Sequence, residues 1–286
     1  MYSFSQIKRY VKLKLKKSPK DEPYIFRGMY DLKYQIHTNS SIDLDISKNG
    51  IINDWIVFNI KKLLKSNSVI FDIGANRGIY TLPFSKECPY SKIYAFEPDM
   101  ESYLQLKYNL NLNEVSNVEV FNIALQENEN VKKSNFYIRR CVDNNKFINQ
   151  GISSLEKSKF NNISMQQVNC STIDKIVLDN NLKRLDFIKL DAEGSEYRIL
   201  QGGKTSICKY LPIVHYEFSR KNDDMMENSN SIKSFNFLKE IGYQQYYFEE
   251  NIKNSHLINF PVEISDVNVL AIPKNNLEAI KIVQNK

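Results

Sequence analysis

Cysteine is scarce in this chain and nowhere paired. Cys88, Cys141, Cys170 and Cys208 lie far apart and form no Cys-x-x-Cys. That argues against a disulfide framework and a structural zinc site, and it fits a reducing compartment. No stretch approaches the eighteen or so apolar residues that a membrane span requires. The charged N-terminus leads into no apolar h-region, so the expectation is no secretory leader and a cytoplasmic location. Acid is absent from residues 1–20, which carry seven basic side chains; the whole chain is at +6, so the remainder is at −1. A body with that charge offers no broad surface for nucleic acid, and none is expected as a partner. No internal repeat is visible. Glycine is sparse too, with nine among 286 residues. Gly74, Gly78 and Gly194 fall in two short stretches that also hold acids.

The first stretch runs from Ser68 to Gly78. Val69-Ile70-Phe71 reads as a buried strand ending at Asp72; Gly74, Asn76 and Gly78 form the turn, and a helix begins near Tyr80. Strand, glycine turn and helix present backbone N–H groups to a nucleotide-like ligand. A dinucleotide fingerprint needs G-x-G-x-x-G. Counting from Gly74, the second and third glycines would fall on Asn76 and Ile79, so that pattern fails twice. The alternative is acid-x-G-x-G-x-G, which serves S-adenosylmethionine. Asp72, Gly74 and Gly78 match it, with Asn76 in the middle position. Asn tolerates left-handed backbone better than most residues, so the exchange is mild. The turn then needs close backbone approach to the methionine moiety and a carboxylate near its ammonium.

Lys92 to Phe96 is a second strand, closed by Glu97-Pro98-Asp99. Glu97, about twenty residues past the turn, is placed to accept both ribose hydroxyls. A helix is expected over Ser102–Leu112 and a third strand over Val118–Leu125, with Asn122 and Ala124 beside an adenine. Ahead of the turn, Tyr30–Ile36 and Ser41–Ile46 alternate with period two and suggest a hairpin, followed by a helix over Asp54–Leu64. Residues 126–170 are polar and Asn-rich. So long an excursion is expected to lie over the cofactor edge and shape an acceptor pocket.

The second stretch, Asp186 to Glu196, repeats the grammar of the first: apolar strand, acid, glycine, helix. Asp191 should face the Gly74 turn, because ligands bind beyond the carboxyl ends of parallel strands at the point where strand order reverses. Glu193 projects nearby, and Glu196 enters a helix expected over 196–209. A further strand, Leu211 to Phe218, carries His215 and Glu217 on one face. Glu217 could face an acceptor; His215 reads as a base or, more simply, as a core residue. Tyr243–Glu250 and Val267–Ile272 are two closing strands. The order of elements is an α/β sheet plan. It divides the chain into a basic segment (1–20), a hairpin-plus-helix lead-in (21–66), the main domain (67–274) and a tail (275–286).

The four motifs together are Asp-Ile-Gly-Ala-Asn-x-Gly, Phe-Glu-Pro, Asp-Phe-Ile-Lys-Leu-Asp-Ala-Glu-Gly-x-Glu and Leu-Pro-Ile-Val-x-x-Glu. In this order they resemble the FkbM family of S-adenosylmethionine-dependent methyltransferases over roughly residues 50–250. The resemblance implies a class I, Rossmann-like fold: a mostly parallel seven-stranded sheet with helices on both faces and an antiparallel closing strand. It implies O-methylation of a hydroxyl on a sugar, glycan or natural product. It places Asp72, Gly74, Asn76, Gly78 and Glu97 at the cofactor; Ala75, Tyr80, Pro98, Asn122, Ala124 and Asp191 join them as cofactor candidates from their places in or beside the two turns and strand ends. By the same resemblance Asp191, Glu193 and Glu217 fall at the reacting end; His215 is added as a candidate from the strand face it shares with Glu217. Ser153-Ser154-Leu155 resembles a small-residue motif that precedes the fourth strand in the family.

The expected chemistry is transfer of a methyl group to an acceptor oxygen, with a carboxylate taking the hydroxyl proton. Asp191 is the first choice for that base, then Glu193, Glu217 and His215. A divalent metal held by Asp191 with Glu193 or Glu217 is a second option, not favoured because no metal-specific spacing is present. A nicotinamide oxidoreductase is opposed by the glycine spacing. A non-catalytic binding or assembly protein in glycan synthesis is the other alternative. Residues 1–20 could lie weakly on an anionic membrane through Phe4, Ile7, Val11 and Leu15, though packing on the body is the simpler reading. The sequence sets no oligomeric state.

Overall fold

A computed structural model describes residues 22–49, 54–139, 141–143, 147–149, 153–157, 163–225, 231–248, 255–257 and 266–284. The basic segment 1–20 and its membrane reading lie outside the described residues.

The main sheet is built from β3 (Val69–Ile73), β4 (Lys92–Phe96), β5 (Val118–Phe121), β11 (Phe187–Leu190), β12 (Ile213–Ser219), β13 (Tyr243–Phe248), β14 (Ser255–Leu257) and β15 (Asp266–Pro273). The spatial order is β14-β13-β15-β12-β11-β3-β4-β5. From β5 to β12 neighbouring strands are parallel; β15 runs antiparallel to both β12 and β13. This is the expected class I methyltransferase sheet, with the short β14 added at one edge. The chain builds outward from β3 to β5, then returns to β11 on the other side of β3. The order therefore reverses between β3 and β11, which is where a ligand is expected.

Register makes that reversal useful. Ile73 pairs with Phe96 on one side and with Leu190 on the other, and Leu190 pairs with Tyr216. The strand tips are therefore level, and the residues that follow them emerge side by side at one edge.

Both faces of the sheet are buried, which is why its central strands read as apolar runs. One face carries Phe71, Ile188, Val214 and Tyr216, covered by α5 (Ile173–Asp179), α6 (Glu196–Gln201), α7 (Lys204–Tyr210) and α9 (Ser231–Glu240). The other carries Ile70, Phe187, Ile213 and Leu270. It is covered by α2 (Asp54–Ile60), α3 (Thr81–Glu87) and α10 (Leu277–Gln284). Full burial of a side chain such as Phe71 or Phe187 contributes about 1.5–3 kcal/mol. Residues expected as a C-terminal tail thus form α10, which seats Ala279 and Ile280 in the core.

The lead-in differs from the expected hairpin. Its strands are β1 (Tyr24–Arg27) and β2 (Lys33–Ile36), whereas Ser41–Asn49 is a helix, α1. The Ser40 hydroxyl accepts a hydrogen bond from the Asp43 N–H at the start of α1. Asp43 in turn forms a buried ion pair with Arg77. Capping and that pair outweigh the alternation of a six-residue stretch. The helix expected over 196–209 is likewise two helices, α6 and α7, parted at Gly202-Gly203. A Cβ on Gly202 would stand 1.9 Å from the Gln126 carbonyl oxygen.

The excursion forms a second sheet from β6 (Ala124–Leu125), β10 (Ile163–Ser171) and β7 (Lys133–Arg139). A short hairpin, β8 (Cys141–Asp143) with β9 (Phe147–Asn149), adds to it in sequence.

Candidate active site

Three level strand tips open a cleft of about 540 Å³. Its floor is Ile73 at the end of β3 with Gly74 and Asn76 beyond it, and one wall is Glu97-Pro98 after β4. Ile123, Ala124 and Leu125 lie beyond, and Asp191-Ala192-Glu193 after β11 close the far end. Phe136, Ser153 and Leu155 of the excursion line it as well.

The turn after β3 is held by backbone. The N–H groups of Gly74 and Ala75 both donate to the Phe96 carbonyl at 3.0 Å. Gly74 has φ +75° and Asn76 φ +49°, so Asn76 occupies the left-handed region that its place in the motif demands. Its own Oδ1 is buried without a hydrogen-bond partner. Asn76→Val is expected to cost about 1–2 kcal/mol for a β-branched residue at positive φ, and Asn76→Gly much less. Thermal denaturation of the two variants checks this; equal midpoints would contradict it.

Glu97 is 6% exposed. Its two oxygens accept the N–H groups of Asn76 (2.7 Å) and Asp99 (2.8 Å). Burial nevertheless pushes its carboxyl up to about 8. The side chain thus bridges the glycine turn and the start of α4 (Met100–Leu112), which Asp99 caps. Asn122 does not reach the cleft. Its Nδ2 donates to the carbonyls of Glu97 (2.9 Å) and Pro98 (3.0 Å), so it props the wall from behind.

At the far end, the Asp191 N–H donates to the Ile73 carbonyl at 3.1 Å, tying the acidic loop to β3. Glu196 is buried and its carboxylate accepts the N–H groups of Ala192 (2.8 Å) and Gly194 (2.9 Å). Burial raises it to about 7. It shapes the loop rather than facing a ligand. Ser154 Oγ donates to the Ala192 carbonyl at 3.2 Å and lies 3.1 Å from Ser195 Oγ, which straps the excursion to the same loop. Arg198 reinforces the strap through Glu156 (2.7 Å) and Glu127 (2.6 Å).

Carboxylate oxygens of Asp191, Glu193 and Glu217 come within 4.8 Å of one another. Glu217 is pushed up to about 8, first by burial and then by the charges of Asp191, Glu196 and Asp266.

A family model, Methyltransferase FkbM domain, matches residues 72–245. The chain belongs to the FkbM methyltransferase family. Methyltransferase 1 of Beauveria bassiana is 27% identical over 145 residues, 48% of this chain and 58% of its own length. Methyltransferase sdnD of Sordaria araneosa is 26% identical over 159 residues, 49% of this chain and 61% of its own. The matches thus span about three-fifths of those relatives. A solved FkbM methyltransferase from Methylobacillus flagellatus has a TM-score of 0.44 and 18% identity, covering 73% of this chain and 45% of that one.

Membership in this family implies S-adenosylmethionine as cofactor, and the residues of the cleft fit that group. As a carboxylate, Glu97 spends two of about four acceptor positions on backbone, leaving room for a vicinal diol. Ile123, Ala124 and Leu125 offer an apolar slot for a flat ring.

Of the cofactor candidates named from the sequence, Gly74, Asn76, Glu97, Pro98, Ala124 and Asp191 line the cleft. Asp72, Ala75, Gly78, Tyr80 and Asn122 do not. Asp72 points below the turn, where its Oδ2 accepts the Thr81 hydroxyl. Tyr80 lies beneath as well, its ring 4.7 Å from Lys189 Nζ. His215 is set deeper than Glu217 on the same strand face. Burial and the Lys189 charge hold it down at about 4, and neither ring nitrogen has a hydrogen-bond partner. Lys189 itself went unnoticed as a site residue. Its signal was a lone charge inside the apolar strand Phe187-Ile188-Lys189-Leu190, which is costly unless paired.

Proposed function

We propose that this FkbM protein is an O-methyltransferase acting on a hydroxyl of a sugar, glycan or related natural-product acceptor. The observation that carries the reading is the geometry of the cleft: a diol acceptor, Glu97, at one wall, and at the opposite end Asp191 and Glu193 with the Glu217 carboxylate clustered beside them from the neighbouring strand. Bound S-adenosylmethionine supplies an electrophilic methyl group. Glu97 accepts the ribose hydroxyls, and Asn76, braced by its backbone bond to Glu97, holds the middle of the cleft. An acceptor hydroxyl seated against the acidic end is oriented by Glu193 and gives its proton to Glu217.

Glu217 replaces Asp191 as the favoured base. Asp191 is engaged with the Lys189 ammonium at 3.3 Å, whereas Glu217 binds a proton near the working pH, where general bases are most effective. His215 is too deep and too weakly basic for the role.

The test is transfer of labelled methyl from S-adenosylmethionine to a panel of glycosides, with the product mapped for O-methyl groups. Turnover should rise about tenfold per pH unit below 8 and level off above it, because Glu217 must lose its proton to accept another. A rate that falls over that interval contradicts the assignment. Metal is the second reading, favoured by the same three carboxylates, whose oxygens suit a hard cation. Undiminished transfer after EDTA supports Glu217 as base; loss restored by magnesium would make the cluster a metal site.

A further inference from the structure

Lys189 touches three groups of the site, two on β3 and its turn and one on the loop that follows its own strand. Its Nζ lies 3.3 Å from the Gly74 carbonyl oxygen, 3.3 Å from Asp191 Oδ2 and 3.7 Å from Asp72 Oδ1. The residue is 2% exposed. An ammonium so buried persists only where its surroundings compensate it.

The two carboxylates differ in what else they can reach. Asp72 is fully buried, outside the cleft. Its Oδ1 has no hydrogen-bond partner, so the Lys189 charge compensates it. Asp191 lines the cleft, and its side chain is 41% exposed. One cation against two anions leaves a single negative charge, and only Asp191 can present it to a ligand. The acid of the glycine motif, Asp72, is spent on Lys189 below the turn. The carboxylate expected near the ligand's ammonium must come from elsewhere.

We propose that Lys189 is a positioning residue: by joining the Gly74 carbonyl to the Asp191 carboxylate, it fixes Asp191 as the contact for the α-ammonium of the cofactor's amino-acid tail. The proposal rests on the reading of the cleft as a cofactor site. Glu97 holds the nucleoside end and Gly74 and Asn76 line the span between, so the tail extends toward Asp191. A nucleoside without the tail meets Glu97 and not Asp191. Lys189 therefore matters for one class of ligand and not for the other, which separates positioning from support of the fold.

The experiment is calorimetric titration of the full chain with S-adenosylhomocysteine and with 5′-methylthioadenosine, which keeps the nucleoside and sulfur but lacks the amino-acid tail. Lys189→Met is expected to weaken S-adenosylhomocysteine about tenfold or more, the scale of one charge-assisted contact, and methylthioadenosine less than about twofold. Because Lys189→Met strands Asp72 in the interior, Lys189→Met with Asp72→Asn is made alongside it and read where the single variant fails to fold. Equal losses for both ligands, or no loss for either, would overturn the proposal and leave the cofactor reading intact. Failure of the unaltered protein to bind S-adenosylhomocysteine would overturn that reading and the proposal with it.

Discussion

Gly74→Ala is expected to abolish binding of S-adenosylhomocysteine and to lower stability by about 2–5 kcal/mol. Two costs combine. A Cβ at this position would stand 1.9 Å from the Asp191 carbonyl oxygen, a backbone atom fixed by β11. Either the turn or the acidic loop must move, and overpacking of this kind costs about 1–3 kcal/mol. The second cost is conformational: φ is +75° at Gly74, and an L side chain there is strained by about 1–2 kcal/mol. The displacement opens the seam between β3 and β11, where the floor of the cleft meets its acidic end. Thermal denaturation and a binding titration on one preparation read both effects. A variant with unchanged midpoint and unchanged affinity would show that the close approach of the two segments is not required.

Glu217→Gln is expected to reduce turnover by about 10²–10⁴, the usual contribution of a positioned general base, with cofactor affinity changed less than about twofold. The amide keeps the shape of the side chain and removes its ability to take a proton. Glu217 does not line the cleft itself; it approaches Asp191 and Glu193 from the neighbouring strand. A fall in affinity equal to the fall in turnover would instead mean that Glu217 holds the cofactor end of the site. Asp191→Ala should weaken the cofactor as well as the reaction, since Asp191 faces the cleft from the end of β11.

Much of this site was legible in the chain because its grammar is local. A short apolar strand followed by an acid and a glycine turn places Gly74, Asn76, Glu97 and Asp191 at strand ends without knowledge of the rest. Level registers then bring those ends together. The left-handed Asn76 followed from the motif spacing alone. What escaped depended on contacts distant in sequence. Asn122 looks like a ring neighbour in its strand, yet its amide is consumed by the carbonyls of Glu97 and Pro98. Asp72 looks like a ligand acid, yet Lys189, 117 positions away, claims it from the adjacent strand. Ser41–Ile46 alternates with period two, and only the distant Arg77 shows why Asp43 anchors a helix there. Glu196 could be read as a simple helix-start acid, and its hold on the Ala192 and Gly194 N–H groups becomes visible only in three dimensions.

The most direct test of the account is calorimetric titration of the unaltered protein and of Glu97→Ala with S-adenosylhomocysteine, with NADH as the control ligand. Micromolar binding by the unaltered protein, a loss of about tenfold or more in Glu97→Ala and no response to NADH are the predicted results. Tight NADH binding, or S-adenosylhomocysteine affinity indifferent to Glu97, would contradict the assignment of the cleft.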